Sequence, residues 1–201
     1  MNTITTQVQE SITINKSEFI GTIIPIKDQL DANDKLNEIR KKYSDATHNC
    51  YAYIYGKNGE YAKNSDDGEP SQTAGVVIYN VLQKNNLTNV LCVVTRYFGG
   101  IKLGAGGLVR AYTQATTSAL AKAEILEIIE YATIKITLNY QYLNQVLMEL
   151  DRIKAKITNK LFLEDIEITF VMPKSNQESL TSSLINLTKN SIKINEINTN
   201  N

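Results

Sequence analysis

At 201 residues the chain is long enough for one large domain or two smaller ones, and its 42% apolar and 21% charged content argues against disorder of the whole. Lys plus Arg and Asp plus Glu number 21 each, so bulk attraction to a polyanion is not expected. No stretch approaches the roughly 20 apolar residues of a membrane helix, Met1–Thr6 lacks a basic-then-apolar leader, and Cys50 and Cys92 are too few for a disulfide framework, which together predict a cytoplasmic protein with no membrane partner.

In chain order, Ser11–Ile26 carries Ile12, Ile14, Phe19 and Ile23 and predicts one or two strands ending at Pro25. A helix follows, with Asp31 or Asp34 as cap and Leu36, Ile39 and Tyr43 on one face. Cys50–Tyr55 sets tyrosines against Cys50, Ala52 and Ile54, a strand with two differently used faces, turning at Gly56–Gly59. Ala74–Leu82 reads as a helix, although a strand of that length fits the pattern too, with Ser71 or Thr73 as its cap. Val90–Thr95 predicts a strand covered on both faces. Phe98–Gly107 reads as a loop and Leu108–Ala123 as a helix, with Leu108, Ala111, Ala115 and Ala119 in one stripe.

All ten glycines lie between Gly21 and Gly107. So sharp a change suggests that the helix after Gly107 closes one unit, dividing the chain into domains 1–130 and 131–201. In the second, Thr133–Asn139, Lys154–Leu163, Asp165–Met172 and Ile192–Ile197 read as strands. Tyr142–Ile153 and a segment from Gln177 through Leu187 read as helices, and Pro173 breaks the run between them. The order is βαββαβ, a ferredoxin-like arrangement. Asn198–Asn201 is expected to fray.

Two constellations carry chemistry. The run Arg96–Gly107 places Lys102, Gly104, Gly106 and Gly107 ahead of a helix bearing Arg110, and no acidic residue occurs between Glu69 and Glu124. Unpaired N–H groups at a helix start, with arginine and lysine beside them, suit an anion. The phosphate-binding glycine motifs of nucleotide folds are absent. The second constellation is Asp66-Asp67-Gly68-Glu69-Pro70, three carboxylates that either hold a cation or proton, or form a turn paired with the basic loop. His48, the single histidine, shares a strand face with Cys50 but lacks an orienting partner for nucleophilic work, and a binding role is expected of it. Tyr51, Tyr53, Tyr97 and Phe98 could stack on bases beside Arg96, although aromatics on strands more often pack a sheet face.

Lys16–Ile20, Ala46–Tyr53, Asp66–Gly75 and Val90–Tyr112 together resemble the YigZ/IMPACT family. The resemblance implies an N-terminal α+β domain like domain four of elongation factor G and a C-terminal ferredoxin-like domain like its domain five. It also implies a link to translation, since eukaryotic relatives restrain a translation-control kinase by competing for its activator.

The combined expectation is an α+β, translation-associated regulatory protein, more a binder than an enzyme, with no cofactor, metal site or catalytic residue assigned. Its binding residues are His48, Asp66, Asp67, Glu69, Arg96, Lys102, Gly104, Gly106, Gly107 and Arg110, and its expected partners are RNA or the ribosome, or an acidic protein surface. Two alternatives stay open. One is an enzyme on a small phosphorylated or carboxylated substrate, which predicts a closed cleft between the constellations; the other is a protein-interaction module.

Overall fold

A computed structural model describes residues 1–197. Among them five α-helices accompany antiparallel sheets, an α+β chain in two compact units, Met1–Ile128 and a second from Ile129 on. No helix among the described residues is long and apolar enough to cross a membrane.

The first unit opens with β1 (Asn2–Ile4), β2 (Val8–Ile14) and β3 (Ser17–Pro25). Asn15 and Lys16 both take positive φ, 45° and 63°, the conformation a two-residue hairpin needs to join twisted strands. Helix α1 (Gln29–Lys42) is capped by Asp28, which accepts from the Asp31 N–H at 2.9 Å. Neither Asp31 nor Asp34 is the cap; Asp31 lies in the first turn and accepts from Lys27 N and Lys35 Nζ. Strand β4 (His48–Tyr55) turns back into β5 (Tyr61–Ser65), whose exposed residues gave no alternation to read. Then come α2 (Gly75–Lys84), β6 (Val90–Tyr97), α3 (Gly104–Leu120) and the short β7 (Ile125–Glu127). The helix thus begins at Gly104, inside the segment expected to be loop, and β7 follows it to pair with β1.

Strands β2-β3-β6-β4-β5 form one antiparallel sheet in that order. Successive side chains point to opposite faces. Val90, Cys92 and Val94 of β6, with Cys50, Ala52 and Ile54 of β4, therefore pack beneath α2 and α3, while Leu91, Val93, Tyr51 and Tyr53 pack with Leu36 and Ile39 of α1. The α3 stripe Leu108, Ala111, Tyr112, Ala115 and Ala119 is buried. It lies so close to β3 that a Cβ on Gly21 would stand 2.6 Å from the Ala115 carbonyl oxygen, so a side chain there has no space.

The second unit runs β8 (Tyr131–Leu138), α4 (Leu143–Arg152), β9 (Lys156–Phe162), β10 (Ile166–Pro173), α5 (Gln177–Leu187) and β11 (Lys193–Ile197). Single 3-10 turns, Tyr140–Tyr142 and Lys174–Asn176, precede the helices. Its antiparallel sheet has the order β11-β8-β10-β9, with β8 and β10 side by side at the centre. Ala132, Ile134, Ile136 and Leu138 alternate inward, facing Val146 and Leu150 of α4 and Leu180 and Leu184 of α5. Pro173 is the last residue of β10, opposite Tyr131, and the run breaks there as expected. The tail expected at Asn198–Asn201 lies outside the described residues.

Candidate anion-binding cleft

Register across three strands builds the floor of the site. Arg96 on β6 stands opposite Phe19 on β3 and opposite His48 on β4. Directly opposed residues share a face, and here it is the face that α3 covers.

The acidic turn beside this floor sends its three carboxylates to different places. Asp66 accepts from the N–H groups of Gln72, Ala74 and Gly75 at 2.9, 2.9 and 2.8 Å. It therefore satisfies the start of α2, where Ser71 and Thr73 were the expected caps, and α2 has no cap from its own N-cap side chain. Asp67 takes a positive φ of 45° and accepts from Asn49 N at 2.7 Å and Arg40 Nη2 at 2.9 Å. Glu69, its side chain 3% exposed, accepts through Oε1 from Arg96 Nη1 at 2.6 Å and from the Tyr112 hydroxyl at 2.9 Å. The three are spread among separate partners, and among the described residues no group of three or more His, Cys, Asp or Glu stands ready to hold a metal ion.

Arg96 realises the alternative in which the acidic turn pairs with the basic loop. Its side chain is only 6% exposed, paired with Glu69, and its guanidinium lies between the rings of Phe19 and Phe98 at 5.2 and 5.5 Å. Its charge is neutralised inside the unit, so it is not the outward anion clamp that arginine chemistry suggested. Nη2 reaches Ser17 Oγ at 3.4 Å, and Nε is buried without a hydrogen-bond partner among the described residues. Ser17 Oγ also accepts from Gly99 N at 3.1 Å. A Cβ on Gly99 would lie 2.0 Å from the Lys16 backbone, so this glycine lets the basic loop rest on the β2–β3 turn.

His48 and Cys50 share the face, as strand spacing requires, but do not form a nucleophile pair. The Cys50 thiol donates to the Asp66 carbonyl at 2.9 Å and contacts the Tyr112 hydroxyl at 3.2 Å. Burial pushes it up to about 12, far from a thiolate at neutral pH. Burial likewise pushes the Tyr112 phenol above its ordinary range, so it serves as a hydrogen-bond donor. His48 Nδ1 lies 2.8 Å from the Asp67 carbonyl, and Nε2 stands 4.0 Å from Glu69 Oε2.

The basic loop closes the site from above. Lys102 and Arg110 are exposed, and α3 starts with no side-chain cap and no acidic residue in its first turn. Gly104 takes a φ of +68° with open space around it, Gly106 meets only Arg110, and Gly107 fits against Leu103. Between loop and floor lies a cleft of about 470 Å³ whose lining includes His48, Glu69, Arg96, Phe98, Lys102 and Gly104. The structure thus gathers five of the expected residues, His48, Glu69, Arg96, Lys102 and Gly104, around one space. Asp66, Asp67, Gly106, Gly107 and Arg110 are not among its lining. Ser17 and Tyr112 had not been singled out for the site; a tyrosine in a stripe of alanines and leucine was the available signal for the second.

Residues 15–120 match the family model for the Impact N-terminal domain. The IMPACT family member YvyE of Bacillus subtilis is 34% identical over 94% of this chain and 87% of its own length. YigZ of Escherichia coli is 28% identical over 90% of each chain. Protein IMPACT of Danio rerio is 40% identical over 47% of this chain, a stretch amounting to 31% of that protein. A solved structure described as a hypothetical protein superposes with a TM-score of 0.63 at 26% identity, covering 98% of this chain and 97% of the other. With the matched domain holding the whole cleft, the chain belongs to the IMPACT family.

Proposed function

We propose that the chain is a translation-associated, cytoplasmic binding protein that meets RNA phosphates through the rim of this cleft. The observation that carries the reading is the start of α3: a helix without a side-chain cap, flanked by exposed Lys102 and Arg110, in a stretch from 70 to 123 with no acidic side chain. Free N–H groups, the helix dipole and two exposed cations favour a phosphate there. The acidic turn acts from behind: Asp66 fixes the start of α2, and Glu69 neutralises Arg96 beneath the loop. On this reading the first unit is like domain four of elongation factor G and the second is ferredoxin-like; the order β11-β8-β10-β9 supports the latter. A binding role is favoured over catalysis because the carboxylate deepest in the cleft, Glu69, is engaged by Arg96 and Tyr112.

The test is salt-dependent RNA binding, read by sedimentation with ribosomal particles and by filter retention of single-stranded RNA. Wild type is compared with Lys102→Ala/Arg110→Ala, both exposed positions; Arg96→Ala is unsuitable because it strands buried Glu69. The double variant should weaken binding and reduce the slope of log K against log salt by about 1.4 for two lost single-strand phosphate contacts. No retention of wild type at low salt overturns the reading and turns attention to an acidic protein surface.

A further inference from the structure

The cleft holds two acceptor atoms facing each other with no donor between them. The Asp67 carbonyl can only accept, so His48 Nδ1, 2.8 Å away, carries a hydrogen, and in the neutral form of the ring Nε2 presents a lone pair. That lone pair lies 4.0 Å from Glu69 Oε2. Oε1 of the same carboxylate is occupied by Arg96 and Tyr112, whereas among the described residues Oε2 accepts no hydrogen bond. Two acceptors at this spacing are complementary to a group with two hydrogens on one atom, a primary amine or amide nitrogen seated between them.

Two neighbours narrow the choice. Phe98 lines the same cleft and remains 47% exposed, and the Arg96 guanidinium lies 5.5 Å from its ring centre. An exposed ring backed by a cation is a platform for a flat, electron-rich heterocycle. Lys102 and the uncapped start of α3 line the cleft as well and suit an anion. A cleft of about 470 Å³ is within the range of small-ligand sites.

We infer that the cleft takes one unstacked nucleotide of single-stranded RNA whose base carries an exocyclic amino group: the amine bridges His48 and Glu69, the ring stacks on Phe98, and the flanking phosphate meets Lys102 and the α3 start. This rests on the RNA reading above and adds to it a preference among bases. Uracil offers a single N–H flanked by carbonyls, which would face two acceptors unfavourably. Adenine, cytosine and guanine each bring an amino group.

Fluorescence anisotropy with labelled ten-nucleotide RNAs of cytidine or of uridine tests this at low salt, using the full chain. Wild type should bind the cytidine RNA about tenfold more tightly, the scale of one unpaired polar group. Phe98→Ala should weaken cytidine RNA binding by about fivefold or more. His48→Asn, which withdraws the Nε2 acceptor, should erase the preference; circular dichroism checks both folds. Equal affinity for the two RNAs, lost in Lys102→Ala/Arg110→Ala yet indifferent to Phe98→Ala, overturns the nucleotide site and leaves phosphate binding standing. Failure of wild type to bind either RNA overturns both.

Discussion

Replacing Asp66 probes what the acidic turn does. In Asp66→Ala the N–H groups of Gln72, Ala74 and Gly75 lose an acceptor they hold at 2.8–2.9 Å. Ala74 is fully buried and Gly75 is buried, so water cannot replace the carboxylate at those two; Gln72 is exposed and can be re-hydrated. Two buried unpaired donors at about 1 to 2 kcal/mol each, with little from the third, give a loss of about 3 kcal/mol. Asp66→Asn keeps the Oδ1 acceptor used by Ala74 and Gly75 but turns an NH2 toward Gln72, and should cost about 1 kcal/mol. The assay is urea unfolding of the full chain followed by circular dichroism, fitted for the transition that shifts. Equal damage from the two variants, or less than about 0.5 kcal/mol from alanine, would refute the capping role and return Asp66 to the candidates for direct ligand contact.

Two further perturbations follow from the same structure. Gly99→Ala places a carbon 2.0 Å from the Lys16 backbone, a clash between main-chain segments that only movement of the loop relieves; RNA retention should fall by more than in Gly100→Ala, which meets nothing within 4 Å although its φ of +83° disfavours alanine. In the second unit, Arg152 and Ser183 donate to Glu149 and hold its carboxyl down at about 2. A depressed folded value means stability present above the unfolded value near 4.3 and lost as pH falls from there through about 2. Glu149→Gln should flatten that dependence and cost about 1 kcal/mol at neutral pH, since Arg152 is 63% exposed and the pair is screened; urea midpoints from pH 2 to 6 read the difference, and an unchanged profile refutes the assignment.

Much of the architecture was legible because burial leaves a period in the sequence. The Tyr51–Tyr55 alternation marked two faces of β4, and the alanine stripe marked α3. What escaped had no period: β5 is almost wholly exposed, and β1 and β7 are three residues each. The start of α3 was placed four residues late because glycines read as loop, while Gly106 and Gly107 stand in its first turn. At the site, residue types pointed to the right neighbourhood and left the exposure of Arg96 open. Arginine signals anion affinity, but the register opposite Phe19 and His48, under α3, decides whether that charge meets solvent or Glu69. A remote carboxylate capping α2 was equally invisible, since helix-start rules look to the residues immediately before the helix, and Asp66 lies eight before Ala74.

The pairing of β1 with β7 bears on how the first unit responds to load. Ile128 N donates to the Met1 carbonyl at 2.9 Å, and the register runs from Asn2 opposite Glu127 to Ile4 opposite Ile125. Both ends of the unit therefore enter the ribbon at the same end. Tension drawn between Met1 and Ile128 strains the hydrogen bonds one after another, as a zip opens, and never all together in shear. Opening it frees β7 alone, because β1 stays held by the hydrogen bonds of Asn2 with Asn86 and Thr88 and by Ile4 in the core.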